Sequence, residues 1–209
     1  IDIGPDLIAR CIAEAGVGFM FAAAHHKATA NVAPVRRALG VRTLFNALGP
    51  LSNPAGARRQ LMGVYSPDLV EPLARALLAL GAVRAWVVHG EDGIDELTTT
   101  GRSFVAEVID GAVRTFTVTP QDAGLPETSA AALKGGDPAE NADAMRRLLA
   151  GEKSPYRDIV IFNAAAALMV ADRAADLIEG AAMAAASIDE GRARAVLEKL
   201  IEISNGRAG

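Results

Sequence analysis

The sequence is poor in cysteine, in aromatic residues and in excess positive charge. Among its 209 residues there is one cysteine, Cys11, and only 4% are aromatic. Because a single cysteine cannot form an internal disulfide, we expect the reducing environment of the cytoplasm. The 21 Lys and Arg against 25 Asp and Glu give a net charge of −4, whereas nucleic acids are bound mainly by basic surfaces. The composition therefore argues against a nucleic-acid partner.

A hydrophobic run long enough to span a membrane is also missing. The most apolar stretch, IVIFNAAAALMVA at 159–171, is shorter than the roughly 20 residues that a bilayer requires, and Asn163 interrupts it. With 51% hydrophobic residues and modest charge, the chain is not disordered. We expect a soluble globular protein without a membrane partner. The chain opens on Ile1 without a cationic, apolar leader, and we expect this start to lie within a longer protein.

The order of apolar segments indicates an α/β fold. A strand at RQLMGVY is followed by a helix from about Pro67 to Gly81 and by the strongly apolar strand AVRAWVVHG. This strand–helix–strand unit is typical of α/β proteins, and an apolar strand buried on both faces is typical of a central parallel one. We therefore predict a mostly parallel central sheet flanked by helices, with residues 1–209 as a single α/β domain.

Shorter patterns predict individual elements. Asp6 is positioned to cap a helix ending near Gly16, and GFMFA is interpreted as a short buried strand. Asp110-Gly111 lies between two alternating segments and predicts a two-residue hairpin turn. Asp137, followed by a proline and then by Glu140, forms a capping box. Two alanine-rich helices and an amphipathic helix ending near Asn205-Gly206 complete the chain.

The segment HGEDGIDELTTTG, at 89–101, directly follows the apolar strand. Ligands of open parallel sheets bind at the carboxyl ends of strands, and adjacent loop carboxylates suit Mg²⁺, which prefers oxygen ligands. Asp95 and Glu96 are the candidate ligands. A solvated acidic turn is the alternative, and Glu91 and Asp92 share the loop, so the residues alone leave the choice open.

A second polar segment begins at the adjacent His25 and His26. Neighbouring residues of a helix diverge by about 100°, and helical zinc ligands are typically four residues apart, so the pair gives zinc little support. Further along, Arg36, Arg37 and Arg42 flank apolar sequence. A guanidinium group can bind a carboxylate through two hydrogen bonds, but the residues alone favour a surface charge for each arginine.

Several motifs in fixed order make this sequence similar to the anthranilate phosphoribosyltransferases. The resemblance is carried by HHKAT, VAPVRRALGVRTLFNALGPLSNPA, VVHGEDGIDELT, GGDPAEN, NAAAAL and SIDEGRARAVLEKL. It implies the nucleoside phosphorylase/phosphoribosyltransferase-like C-terminal domain. It also implies transfer of the phosphoribosyl group from 5-phosphoribosyl 1-pyrophosphate to anthranilate, giving N-(5-phosphoribosyl)anthranilate and pyrophosphate in tryptophan biosynthesis.

The same resemblance implies roles for individual residues. Asp95 and Glu96 would hold Mg²⁺ on the pyrophosphate, as electrostatic stabilisers and a template. Arg36 matches the arginine that binds the anthranilate carboxylate, His26 lies along the anthranilate path, and Pro50 lines that pocket. Two departures, Lys27 for the usual proline and Thr29 for a methionine, alter the loop and its apolar wall.

Other segments typical of this family do not occur in the chain. The family binds the substrate's phosphates through a GTGGD loop and a KHGNR-like segment, and a helical domain carries its dimer contact. We therefore expect the C-terminal portion of a homodimeric enzyme, inactive as an isolated fragment, with an exposed apolar face on the first helix that promotes association. Two alternatives stay open: a non-catalytic binding module of the same fold and a related nucleoside phosphorylase.

Overall fold

The computed structural model describes residues 2–21, 51, 53 and 55–206. The chain divides into two compact units, Ile1–Ala55 with Gly191–Gly209, and Gly56–Glu190. The single-domain interpretation stays a prediction. The helices and strands whose bounds the structure gives are α1 Pro5–Ala15, β1 Arg59–Gly63, α2 Val70–Ala79, β2 Arg84–Gly90, β3 Ser103–Ile109, β4 Ala112–Val118, α3 Pro138–Leu149, α4 Pro155–Val170, α5 Leu177–Asp189 and α6 Arg192–Ser204.

Within the first unit, α1 packs against α6. Helix α1 ends at Ala15, close to the predicted end, and its C-cap Gly16 has the left-handed conformation that favours glycine. Its N-cap is Gly4 and not Asp6, because a proline at the first helical position starts the helix earlier. The expected exposed apolar face is only partly present: Ile8 and Cys11 are buried, whereas Ile12 is 46% exposed.

The predicted strand GFMFA is wrong for the part that the structure describes, up to Phe21. Residues 17–21 have no regular secondary structure, and the side chains of Phe19 and Phe21 are 52% and 38% exposed. A short apolar run does not by itself distinguish a strand from other conformations. No neighbouring strand pairs with this segment among the described residues.

The second unit contains the sheet, whose strand order is β1-β2-β3-β4. Strands β1 and β2 are parallel, with Gly63 opposite Val88, because α2 carries the chain back between them. The pairs β2–β3 and β3–β4 are antiparallel. The α/β class is thus confirmed, but the expectation of a mostly parallel sheet is wrong for these four strands. A loop and a hairpin, and not helices, connect β2 to β3 and β3 to β4.

The core of this unit lies around β2, which is buried from Ala85 to Gly90. Helix α2 packs on β2 and β3, and α4 contacts β1 and β2. Helices α4 and α5 approach each other closely at Gly180, where an added Cβ would lie 2.9 Å from the Cα of Ala165. The alanine-rich sequences predicted as helices therefore serve close helix–helix packing.

A buried carboxylate, Glu107, was not singled out from the sequence. Its side chain is 1% exposed, and its Oε2 accepts a 2.6 Å hydrogen bond from Arg114 of the facing strand. Arg84 lies 3.4 Å from Oε1 and also pairs with Asp172. Because a buried charge without a partner is costly, these arginines allow β3 to keep an acidic residue in the core.

Two local predictions are confirmed in detail. Asp110 and Gly111 have φ angles of 52° and 74°, as a two-residue turn between antiparallel strands requires. Asp137 caps α3 in a reciprocal capping box with Glu140. Among the described residues, no helix combines the length and apolarity needed to cross a membrane.

The capping box gives a stability prediction. Asp137 accepts hydrogen bonds from the backbone N–H groups of Ala139 and Glu140, at 2.8 and 2.9 Å. Asp137→Ala leaves these donors without the side-chain partner, so the free energy of unfolding of the whole protein should fall by about 1 kcal/mol in urea titrations. Asp143→Ala, which removes an exposed ion pair with Arg146, is the control and should cost about 0.5 kcal/mol or less. Equal losses would contradict the assignment.

Candidate metal centre

The acidic loop joins β2 to β3 and comprises residues 91–102. It leaves the sheet at the carboxyl end of β2, beside the parallel strand β1. In α/β sheets this edge is where ligands bind. The loop carries four carboxylates, and the structure distinguishes their roles.

Glu91 closes the base of the acidic loop. Its Oε1 accepts a hydrogen bond from the backbone N–H of Arg102, and its Oε2 accepts one from the Arg102 guanidinium, both at 3.0 Å. The two hydrogen bonds hold the pKa of Glu91 below its usual range. Because both oxygens are occupied within the loop, Glu91 is a structural residue.

Asp92 organises the interior of the same loop. Its Oδ2 accepts hydrogen bonds from the hydroxyls of Thr98, at 2.9 Å, and Thr100, at 2.8 Å. The backbone N–H of Thr98 in turn donates to Ser103 Oγ at 2.9 Å. Thr98 and Ser103 are fully buried, so these bonds satisfy polar groups that water does not reach.

Asp95 and Glu96 differ from the two preceding acids. Both residues are exposed, and neither carboxylate forms a hydrogen bond or ion pair with another residue of the described ranges. Desolvation of the carboxyl group raises the pKa of Glu96, and the negative charges of Asp95 and Asp92 add to this rise. The pair is thus a concentration of negative charge that a bound cation would stabilise.

The backbone of Asp95 is seated directly on β1. A Cβ added to Gly63 would lie 1.5 Å from the Asp95 carbonyl oxygen, so any side chain at position 63 would displace the loop. This close approach fixes the position of the Asp95 backbone relative to β1.

The donor set fits Mg²⁺ better than zinc. Mg²⁺ is commonly held by one or two carboxylates, with its other positions left to water and substrate phosphates, and Asp95 with Glu96 offers that arrangement. Within residues 2–21, 51, 53 and 55–206, no group of three His, Cys, Asp or Glu side chains could hold a metal ion. His89 is buried, and its Nδ1 lies 2.7 Å from the carbonyl oxygen of Val64, so it is a structural histidine.

The three residues predicted to contact anthranilate, His26, Arg36 and Pro50, lie outside the residues that the structure describes. Their roles stay predictions.

Three polar residues that support the acidic loop were missed from the sequence: Thr98, Thr100 and Asn163. Asn163 lies on α4 and pairs with the backbone of Leu97. The available signal was its position in the middle of an apolar helix, where even a half-buried amide needs hydrogen-bonding partners.

Comparison with known proteins gives a consistent result. Residues 1–194 match the family model described as "Glycosyl transferase family, a/b domain". The anthranilate phosphoribosyltransferase of Parvibaculum lavamentivorans is 58% identical over 207 residues, covering 99% of this chain and 61% of the relative. The chain therefore spans about three fifths of the length of the curated relatives it matches.

Solved structures show the same similarity. The crystal structure of anthranilate phosphoribosyltransferase from Thermus thermophilus superposes with a TM-score of 0.88 at 46% identity, covering 96% of this chain and 60% of that one. The Saccharomyces cerevisiae enzyme in complex with PRPP and Mg gives a TM-score of 0.90 at 26% identity, covering 98% and 59%.

The opposite surroundings of Glu96 and Glu91 predict opposite effects on stability. Since the pKa of Glu96 is raised in the folded protein, its ionisation destabilises the metal-free fold as the pH rises from the usual glutamate pKa through the raised one, and Glu96→Gln should raise the melting temperature at neutral pH. Glu91 has a lowered pKa, so its ionised form stabilises the fold, and Glu91→Gln should lower the melting temperature.

The effect of Glu96→Gln should disappear as the pH falls below the usual glutamate pKa, because Glu96 is then protonated in both the folded and the unfolded protein. The effect of Glu91→Gln should persist to lower pH and fade only as the pH falls through the lowered pKa of Glu91 in the folded protein. Differential scanning fluorimetry of the whole protein without divalent cations measures them. A Glu96→Gln variant that melts earlier than the wild type at neutral pH would contradict the electrostatic description of the loop.

Proposed function

The chain belongs to the glycosyl transferase family, and we propose that the protein containing it is an anthranilate phosphoribosyltransferase of tryptophan biosynthesis. In this reaction the amine of anthranilate displaces pyrophosphate from 5-phosphoribosyl 1-pyrophosphate and forms N-(5-phosphoribosyl)anthranilate. The observation that supports this pentosyltransferase activity best is the pair of carboxylates at the carboxyl end of β2, Asp95 and Glu96, which have no partner among the residues that the structure describes.

The reaction releases one proton from the anthranilate amine as the new C–N bond forms, and it must stabilise a highly charged leaving group. Displacement at an anomeric carbon proceeds through an oxocarbenium-like state, so orientation of the reactants and neutralisation of the departing pyrophosphate favour it. Bound Mg²⁺ would supply that neutralising charge. Asp95 and Glu96 are the residues that would hold the ion, since Glu91 and Asp92 are engaged in bonds within the loop.

The anthranilate side of the site is proposed from the sequence. The guanidinium group of Arg36 suits a benzoate carboxylate because it presents two parallel N–H donors. His26 and Pro50 would form the path and wall beside the ring, where flat apolar groups contribute most. Lys27 and Thr29 lie in the same segment and alter that wall.

The proposal extends to the state of the whole protein. We propose a cytoplasmic homodimer whose dimer contact lies in a helical domain, without a nucleic-acid or membrane partner. The net charge of −4 supports the absence of nucleic acid.

The metal assignment predicts a loss of transferase activity. In the whole protein, Asp95→Asn and Glu96→Gln each remove one anionic ligand, and kcat/KM should fall by roughly 100-fold or more at a fixed Mg²⁺ concentration. Phosphoribosylanthranilate formation can be followed by the decrease in anthranilate fluorescence. Glu127→Gln, an exposed acid outside this loop, is the matched control and should keep wild-type activity. Full activity of Asp95→Asn would refute the metal site.

The arginine assignment predicts a selective effect on one substrate. Arg36→Lys keeps the charge but loses the guanidinium's paired donors, so the KM for anthranilate should rise by about tenfold or more, while the KM for 5-phosphoribosyl 1-pyrophosphate stays near the wild-type value. The adjacent Arg37→Lys is the control and should leave both constants unchanged. If Arg37→Lys and Arg36→Lys behave alike, the assignment is wrong.

A further inference from the structure

Asn163 makes a reciprocal contact with the acidic loop that goes beyond ordinary helix packing. Its Oδ1 accepts a hydrogen bond from the backbone N–H of Leu97, and its Nδ2 donates to the carbonyl oxygen of the same residue, both at 2.9 Å. One side chain thus satisfies both backbone groups of Leu97, as a neighbouring strand would. Leu97 is 0% exposed, so water does not replace these bonds.

The orientation of the Asn163 amide is determined by a third hydrogen bond. Nδ2 also donates to the carbonyl oxygen of Ile159, one turn earlier in α4, at 3.0 Å. Reversing the amide would place its oxygen against two carbonyl oxygens and its NH₂ group against the N–H of Leu97. Helix α4 is itself held by buried residues on both sides of this position, including Phe162 and Ala165. The amide is therefore presented to the loop in one fixed direction.

The position of this contact along the chain connects it to the carboxylate pair. The N–H of Leu97 belongs to the peptide bond that follows Glu96, and the carbonyl of Asp95 is seated on Gly63. The peptide group before Glu96 therefore packs against β1, and the peptide group after it is hydrogen-bonded to α4.

We propose that Asn163 is a positioning residue that sets the divalent-cation affinity of the Asp95–Glu96 pair, an inference that rests on the proposed function. The two carboxylates repel each other and have no described partner, so a loose loop would separate them. Bringing them together would then cost conformational entropy on each binding event. The bonds to Leu97 order the loop before the cation arrives. Groups that orient metal ligands typically change metal affinity by about 10- to 100-fold when they are removed.

The chain offers a matched control for this contact. Asn141 makes the same reciprocal pair with Gly136, accepting from its N–H at 2.9 Å and donating to its carbonyl at 3.0 Å. That pair stabilises the turn before α3 and does not contact the acidic loop. Asn141→Ala therefore removes the same type of reciprocal pair from a different loop.

The test uses Mn²⁺ as the probe and the whole protein. The free ion is counted by electron paramagnetic resonance during titration, in the presence of 5-phosphoribosyl 1-pyrophosphate and without anthranilate. Asn163→Ala removes all three bonds of the side chain. The isosteric Asn163→Asp keeps the volume and the acceptor for Leu97 but cannot donate to the carbonyls of Leu97 and Ile159. We expect both variants to bind Mn²⁺ about tenfold more weakly, and Asn141→Ala to bind it as the wild type does.

Steady-state kinetics separate positioning from general destabilisation. The Mg²⁺ concentration that gives half-maximal activity should rise about tenfold in Asn163→Asp, while kcat at saturating Mg²⁺ and the KM for anthranilate stay near wild-type values. A residue needed only for stability would lower the active fraction, and with it kcat, without changing the half-saturating Mg²⁺ concentration. Should Asn163→Ala fail to fold, the isosteric variant provides the measurement alone.

The double variant Asp95→Asn/Glu96→Gln separates this inference from the proposed function. If it loses Mn²⁺ binding while the Asn163 variants bind normally, the positioning role is overturned and the metal site stands. If the double variant binds Mn²⁺ like the wild type, the metal site fails, and the inference fails with it.

Discussion

The structure of the candidate site depends on one constraint: the loop that follows β2 is buried over part of its length, so its backbone polar groups must find partners inside the protein. Leu97, Thr98 and Thr99 are each 0% exposed. The amide of Asn163 supplies both partners of Leu97. A serine hydroxyl accepts from the N–H of Thr98, and the N–H of Thr128 donates to the carbonyl of Thr99. Three separate parts of the chain thus supply hydrogen-bonding partners to residues 97–99.

The four acids of the loop fall into two groups, which differ in whether their carboxylates accept hydrogen bonds from the loop. Glu91 and Asp92 accept hydrogen bonds from donors of the loop itself, Glu91 from Arg102 and Asp92 from threonine hydroxyls. Asp95 and Glu96 lie where the chain passes over the edge of β1, and their carboxylates stay exposed to solvent. The acids that accept hydrogen bonds within the loop are therefore different from the two that we propose as cation ligands.

Features determined by near neighbours in the chain could be predicted from the sequence. The Asp110-Gly111 turn and the capping box at Asp137 depend on backbone preferences over two to four residues, and both are as predicted. The direction of β3 could not be predicted in this way, because it depends on a loop whose path is fixed by distant hydrogen bonds. The strand prediction for the segment ending at Phe21 fails for a related reason, since apolar character does not specify a pairing partner.

The candidate site also combines features that the sequence could predict with features that it could not. The sequence predicted carboxylates at the end of a buried strand but could not separate Asp95 from Asp92, because the separation depends on the hydrogen bonds of Asp92 to Thr98 and Thr100 and on the packing of Asp95 against Gly63. Asn163 stands out in the sequence only as an interruption of an apolar run. Its role depends on Leu97, which lies 66 residues away in the chain, and no local pattern connects the two. The resemblance to a family supplied the choice that the local pattern left open.

The close approach of Asp95 to Gly63 makes the position of the acidic loop depend on the pairing register of β1. In the native register Gly63 lies opposite Val88, and only this glycine leaves room for the loop carbonyl. If β1 slipped by one residue, Met62 or Val64 would occupy the place beneath Asp95 and push the loop away from the sheet. A mispaired sheet would then lack a properly formed carboxylate pair. The empty space at Gly63 thus links the position of the acidic loop to the native register between β1 and β2.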